Sequence, residues 1–335
     1  MSSQRNSFNA SVVQTASVAF DPWRTIDKLA VYTQRAVSED ARIVVFPEAF
    51  VGGHAKGLGF GSVLGSCSQA GRDAFQVYHE GAIDVPGPAT KRLSEIAADN
   101  KVFLVTGAIE RDLGTLYCVV LFFSPKGTFL GKHRKLMPTG TERLVWGFGD
   151  GSTLPVFNTE LGNIGAVICW ENYMPMLRLS MYSKGITLYC APTADHRETW
   201  LPTMQHIARE GRCYVLSACQ YGRRSDFPAD YPIEGDVKPD DVLAKGGSCI
   251  IDPLGNVLCG PVFDTDLIHT AAIDPTAITR ARFDFDVVGH SSRPDLFMLH
   301  VDERRRSVVQ SKADDCRSGV PMQVLSAGIA SGSLD

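Results

Sequence analysis

Short apolar runs rich in Val, Ile, Leu and Phe alternate along this chain with stretches of helical period, and that interleaving limits the fold more than any other feature. FDPWRTIDKLAVYTQRAVSEDA reads as a helix, with Asp21 as N-cap and Pro22 in the first turn. RIVVFPEAF follows as a strand that Pro47 should end. VPGPATKRLSEIAADN is a second helix with Leu93, Ile96 and Ala97 on one face, and KVFLVTGAIE is a strand. TLYCVVLFFSPKGTFLGKHRK has the pattern of a hairpin turning at Pro-Lys-Gly. IGAVIC and ITLYCAPTA are buried strands flanking the helix PMLRLSMYSKG, with Pro175 near its start and Gly185 past its end. TWLPTMQHIAREG and CYVLSACQ add a helix and a strand, and GSCIIDPLGNVLCG a hairpin turning at Asp252-Pro253-Leu254-Gly255.

Helix–strand units with hairpins among them, and no linker before about residue 303, predict one α/β domain with sheet packed on sheet and helices outside. The domain is placed at 1–304. From about 305 the periodicity fades, and 305–335, ending in SAGIASGSLD, reads as a tail that is mobile or lies at a subunit interface.

The chain is 44% hydrophobic over 335 residues, enough to bury a large core. Its 37 acids against 33 Lys and Arg give a net charge of -4, which argues against a nucleic-acid binder. The densest basic run, ERRRS at 303–307, reads as a solvated segment. The opening MSSQRNSFNASVVQTAS has no apolar core of signal-peptide length, and no stretch approaches the roughly 18 residues of a membrane span. A cytoplasmic location follows as the expectation. Nine cysteines without any C-x-x-C suit neither a disulfide framework nor a zinc site, so most are expected to be small core residues.

Cys169, in GNIGAVICWENYMPML, stands where a buried strand meets a Pro-opened helix. It is either an inert core thiol or a nucleophile. The helix dipole would favour its thiolate, and polar residues follow at once. Glu48 in VVFPEAF lies just past a strand, either exposed or desolvated and suited to proton transfer. Lys135 closes the basic run GKHRK, which would ordinarily be a solvated strand end. It feeds a loop rich in Pro, Gly and Trp that carries Glu142. A lysine there could hold an anion formed when Cys169 attacks, with Glu142 orienting it. GFGDGS lacks the spacing of a dinucleotide cradle, and there is no Walker lysine, G-x-S-x-G elbow or H-E-x-x-H pair. His290 could form a Cys-His pair but reads more simply as a structural or interface histidine.

FPEAF, HRKLMPT..ER..WGFGDGS and CWEN.MP resemble, in order and separation, the three catalytic segments of the nitrilase superfamily. The likeness spans residues 8–303 and includes APTAD, GGSCIIDPLG and FDFDVVGHSSRPD. Trp-Glu after the cysteine and the Trp-Gly-x-Gly-Asp-Gly loop are similar to the nitrilase branch, nearest to plant-type aromatic and β-cyanoalanine nitrilases. The resemblance implies a four-layer αββα sandwich that pairs into αββα-αββα dimers and extends into spirals or helical filaments. It implies a triad of Glu48, Lys135 and Cys169 with Glu142 as accessory acid, and neither metal nor organic cofactor. The implied reaction turns a small-molecule nitrile into carboxylic acid and ammonia, with possible amide, through a thioimidate and a thioester on Cys169. Trp170, Thr193 and Trp200 are candidates for the pocket, although a Trp beside a buried strand often only packs. Where related enzymes tend to carry Tyr-Pro after FPEAFVGG, this chain has His54-Ala55, which places His54 at the expected substrate entrance and puts a plant-type preference in doubt. An amidase of the same superfamily and a non-catalytic assembly protein are the alternatives.

Overall fold

A computed structural model describes residues 7–65, 67–231, 233, 236–307 and 309. Strands β1 (Phe8–Gln14), β2 (Ala41–Val45), β3 (Ile83–Asp84), β4 (Phe103–Asp112), β5 (Thr115–Phe123) and β6 (Phe129–Arg134) form one sheet, which the late strand β15 (Leu267–Ile273) completes. Its order is β15-β1-β2-β4-β5-β6, with β3 added along β4. The second sheet runs β14-β13-β10-β9-β8-β7. It is built from β7 (Val156–Thr159), β8 (Gly162–Ala166), β9 (Leu188–Cys190), β10 (Tyr214–Ser217), β13 (Cys249–Ile251) and β14 (Val257–Cys259). A separate ribbon pairs β11 (Tyr221–Arg223) with β12 (Val242–Lys245).

Both sheets have a parallel centre, β1-β2-β4 in one and β8-β9-β10 in the other. Parallel neighbours need a crossover, and the helices supply it. Helix α1 (Pro22–Val37) joins β1 to β2, and α2 (Gln69–Glu80) and α3 (Pro88–Asn100) stand between β2 and β4. Helix α4 (Pro175–Ser183) joins β8 to β9, and α5 (Trp200–Gly211) joins β9 to β10. A last helix, α6 (Pro275–Asp284), follows β15.

Strand alternation then sorts the apolar residues into layers. Val12, Ile43, Val45, Phe103, Val105, Val120 and Phe122 meet Ile164, Leu188, Leu216 and Ile250 between the two sheets. Their neighbours Val13, Val44, Leu104, Val119 and Leu121 turn outward onto Ile26 and Leu29 of α1 and Leu93, Ile96 and Ala97 of α3. On the other side Tyr189, Val215 and Ile251 pack against Leu177 and Met181 of α4 and Met204 and Ile207 of α5. Buried on both faces, the strands read as continuous apolar runs, and the chain is a four-layer αββα sandwich.

The sequence-based ends of α1 hold: Asp21 accepts from Arg24 N at 2.9 Å, and Pro22 opens the helix. Helix α2 went unread, and it buries only Gly71 and Tyr78. The tail assigned to 305–335 lies, apart from 305–307 and 309, outside the described residues. Among the described residues no helix is long and apolar enough to cross a membrane.

Candidate active site

Glu48 follows β2 on a loop laid over β4, where Gly107 N donates to Pro47 O at 3.1 Å and Val51 N to Gly107 O at 3.1 Å. A Cβ on Gly107 would stand 2.2 Å from Pro47 O, so only glycine admits the loop this close. Gln220 Nε2 holds Glu48 O at 2.8 Å, and the Glu48 side chain is fully buried.

Lys135 directly follows β6, and strand alternation decides between a solvated strand end and a site residue by turning it inward. His133, paired in register with core Val120, points between the sheets, and Lys135 points the same way. Lys132 and Arg134 point to the other face and bind Glu110, with Arg134 Nε 2.8 Å from Oε2.

Cys169 lies three residues past the end of β8, where Cys169 N donates to Pro192 O at 2.9 Å. Its φ is +50, a left-handed conformation that non-glycine residues rarely adopt. Asn172 clamps this bend: Nδ2 donates to Cys169 O at 2.8 Å and Val167 O at 3.0 Å, while Oδ1 accepts from Tyr189 OH at 2.9 Å. The expected helix-dipole activation is corrected. Cys169 opens a short 3-10 turn, Cys169–Tyr173, and α4 begins only at Pro175. Burial and the Glu48 charge push the thiol above its ordinary range, against the opposing pull of Lys135. Thr193 Oγ1 donates to Cys169 Sγ at 3.2 Å, and the backbone N–H of Ala194 is also directed to it. These causes favour the protonated thiol over the thiolate at rest.

Lys135 Nζ stands 2.7 Å from Glu48 Oε1 and 2.7 Å from Glu142 Oε2. Burial alone would lower its pKa, but the Glu48 carboxylate, the neighbouring thiols and Glu142 hold it well above the lysine range. Burial likewise disfavours ionised Glu142, and His54 and Lys135 outweigh this and keep its carboxyl below the usual range. His54 Nε2 is 3.6 Å from Glu142 Oε1, too long for a hydrogen bond. Among the described residues neither His54 ring nitrogen nor Glu48 Oε2 has a hydrogen-bond partner. Glu48, His54 and Glu142 offer ligand atoms within 4.8 Å of one another, but the Lys135 ammonium already takes the cation's place between the carboxylates.

A cavity of about 600 Å³ opens beside this cluster, lined by His54, Lys56, Phe60, Glu142, Val145 and Trp146 among others. His54, expected from sequence at the substrate entrance, lines this cavity. Thr193 is fully buried against the sulfur. Trp170, 40% exposed, is not among the cavity's lining residues; it donates from Nε1 to Asp195 Oδ2 at 2.8 Å under the Arg197 guanidinium. Trp200 does not reach the cluster: it is buried between the second sheet and its helices, bonded to Ser217 Oγ at 2.9 Å. Its helix packs on the outer face of the sheet, opposite the thiol. His290 is exposed after α6 and is not among the residues around Cys169.

Sequence reasoning missed four contributors. Glu171 and His133 form a buried pair at 3.0 Å. Tyr78 from α2 accepts from Trp146 Nε1 at 3.0 Å, holding the indole whose ring lies 5.3 Å from Lys135 Nζ. Lys56 stands by the cavity with its Nζ 3.0 Å from His196 Nδ1. Glu171 was visible in CWEN, but its partners lie far away in sequence. Lys56 follows the His54-Ala55 pair directly, and that proximity was the available signal.

Fold and site together define an αββα sandwich with a carboxylate–ammonium–thiol cluster buried at the strand ends. The chain belongs to the carbon-nitrogen hydrolase family, which it matches over residues 9–283. It is 54% identical over 310 residues to a nitrilase of Bradyrhizobium diazoefficiens, covering 92% of this chain and 97% of that protein. It is 53% identical to a bifunctional nitrilase/nitrile hydratase of Lupinus angustifolius (88% and 86% covered) and 51% to nitrilase 2 of Arabidopsis thaliana (90% and 90%). Among solved structures, the Helicobacter pylori G27 carbon-nitrogen hydrolase shares the fold at TM-score 0.69 and 20% identity, covering 88% of this chain and 98% of that one. Saccharomyces cerevisiae Nit3 does so at TM-score 0.66 and 23% identity, covering 87% and 99%.

Proposed function

We propose that the chain is a nitrilase, hydrolysing an organic nitrile to the carboxylic acid and ammonia with Cys169 as nucleophile. The observation that carries this reading is the buried cluster in which the Lys135 ammonium bridges Glu48 and Glu142 at 2.7 Å each, with the buried Cys169 thiol held by Thr193 Oγ1 at 3.2 Å. Relatives named as nitrilases at 51–54% identity supply the substrate class.

Glu48 takes the Cys169 proton as Sγ attacks the nitrile carbon, and the proton passes to nitrogen, giving a neutral thioimidate. Lys135, held by Glu48 and Glu142, stabilises the charge developing on nitrogen. Water then loses a proton to Glu48 and adds to the thioimidate carbon. If the C–N bond breaks, protonated nitrogen leaves as ammonia and a thioester remains; a second water releases the acid and restores the thiol. If the C–S bond breaks instead, the product is the amide. Glu142 acts through Lys135 as a positioning residue. No step requires a metal or organic cofactor.

We further assign two supporting features to this reading. Eight described cysteines are free, which suits a reducing cytoplasm. Exposed Phe283, Leu296, Phe297 and Met298 suit self-association of the sandwich into a dimer or longer assembly. The test offers matched nitriles and amides to wild type and Cys169→Ala and reads ammonia, acid and amide. Nitrile turnover lost in Cys169→Ala supports the reading. Turnover of amides alone makes the chain an amidase, and silence on both makes it an assembly protein. Light scattering of either protein reads the oligomer.

A further inference from the structure

At the cavity stands a second ammonium that the reaction above leaves unused. Lys56 is half-buried and lines the cavity together with His54 and Glu142. Tyr231 OH donates to its carbonyl at 3.1 Å, fixing the backbone, and Nζ is 3.0 Å from His196 Nδ1. Burial and the adjacent Lys56 charge lower the His196 pKa, so His196 is a neutral acceptor that orients the ammonium without compensating it.

Among the described residues no carboxylate forms an ion pair with Lys56. Asp195, one of the charges acting on it, is already committed: it accepts from Arg197 Nε at 2.8 Å, Arg197 Nη2 at 2.5 Å and Trp170 Nε1 at 2.8 Å. Glu48 and Glu142 are committed to Lys135. A cation withdrawn from water without its own counter-ion is costly, and an anion brought by a ligand relieves that cost. A short chain of contacts links Lys56 to the sulfur: its partner His196 follows Asp195, whose N donates at 2.9 Å to Thr193 Oγ1, the hydroxyl 3.2 Å from Cys169 Sγ. The other cavity walls include Phe60, Leu144, Val145 and Trp146, which suit an apolar spacer.

We propose that Lys56 receives an anionic substituent of the substrate, so that the favoured nitriles are ω-cyanoalkanoic acids, with a short apolar chain between C≡N and a carboxylate. A single ammonium beside one neutral imidazole suits a point contact to carboxylate rather than the bidentate clamp typical of arginine sites. The assignment rests on the nitrilase reading and deepens it to a substrate class.

The test compares a series of ω-cyanoalkanoic acids with their methyl esters on wild type, Lys56→Met and Lys56→Arg. Wild type should prefer the acid at one chain length by about tenfold or more in kcat/KM, the scale of one charge-assisted hydrogen bond. Lys56→Met should erase that acid-to-ester ratio mainly through KM, and Lys56→Arg should retain part of it. A wild-type preference for the ester, or a ratio unmoved in Lys56→Met, overturns the proposal while leaving nitrile hydrolysis intact. If wild type turns over no nitrile, the nitrilase reading fails separately. Protection of Cys169 from iodoacetamide then decides the anion site. Glutarate should protect wild type better than glutaramide does, and Lys56→Met should lose the difference; equal protection by the two would overturn it.

Discussion

The imidazole of His133 stands 3.0 Å from the carboxylate of Glu171, and both side chains are closed to solvent. The same carboxylate accepts from Leu136 N at 2.5 Å and from Ile168 N at 2.9 Å, the residues adjoining Lys135 and Cys169. One acid therefore ties the end of the first sheet's β6 to the bend after the second sheet's β8, and Glu171 is a positioning residue for the cluster. Removing one partner of a buried pair costs on the order of 3–5 kcal/mol. Glu171→Ala should lose stability on that scale in chemical denaturation and lower kcat more than KM. Glu171→Gln, which keeps the shape and one acceptor oxygen but sets its NH2 against the second backbone N–H, should recover only part of both. An Ala variant as stable and active as wild type would remove Glu171 from this role.

Burial would lower the His133 pKa, but the Glu171 charge and hydrogen bonds outweigh it and raise it above 6.5. A histidine raised on folding adds stability that is fully present below the unfolded pKa and is lost as pH rises through the folded one. Unfolding free energy measured from about pH 6 to about pH 9 should therefore fall on account of this pair, and the slope should flatten in His133→Gln. Equal slopes would mean that the pair does not titrate in this range.

Thr193 places its hydroxyl 3.2 Å from Cys169 Sγ. A donor to developing thiolate is worth about 1.5–3 kcal/mol, so Thr193→Val should lower kcat/KM roughly 10- to 100-fold, with Thr193→Ser restoring most of it. Unchanged kinetics in Thr193→Val would place the hydroxyl outside the reaction path.

Burial and Glu48 raise the Cys169 pKa above the ordinary thiol value of 9.0. Its iodoacetamide alkylation should keep rising with pH through about 9, with no plateau near neutrality of the kind a preformed thiolate gives. In the proposed mechanism Glu48 removes the proton, so turnover should not follow that rise. A neutral-pH alkylation plateau would contradict the resting thiol.

The layers of the fold were legible where strands are long and buried on both faces, as in RIVVF and KVFLVTGAIE. There hydrophobicity alone marks the strand. The burial of Lys135 was not legible from its basic run, because parity and not composition turns His133 and Lys135 inward and Lys132 and Arg134 away. The three cluster residues carried local signals: Glu48 past Pro47, Lys135 before a Gly-rich loop and Cys169 before Trp-Glu-Asn. Their supports did not. Glu171 and Tyr78 act on partners 35 and 68 residues away, contacts that only sheet packing creates. Trp200 misled because closeness to the β9 segment says nothing about which face a following helix covers; α5 carries it to the outer one.

The central claim is a covalent bond between Cys169 Sγ and the nitrile carbon. Intact-protein mass spectrometry after acid quench of the working enzyme tests it most directly. The account predicts an adduct on wild type with the mass of the nitrile, or of the acid less one water, mapped by peptide analysis to Cys169 and absent from Cys169→Ala. Steady nitrile turnover with no such adduct at any quench time, or an adduct that persists in Cys169→Ala, would contradict it.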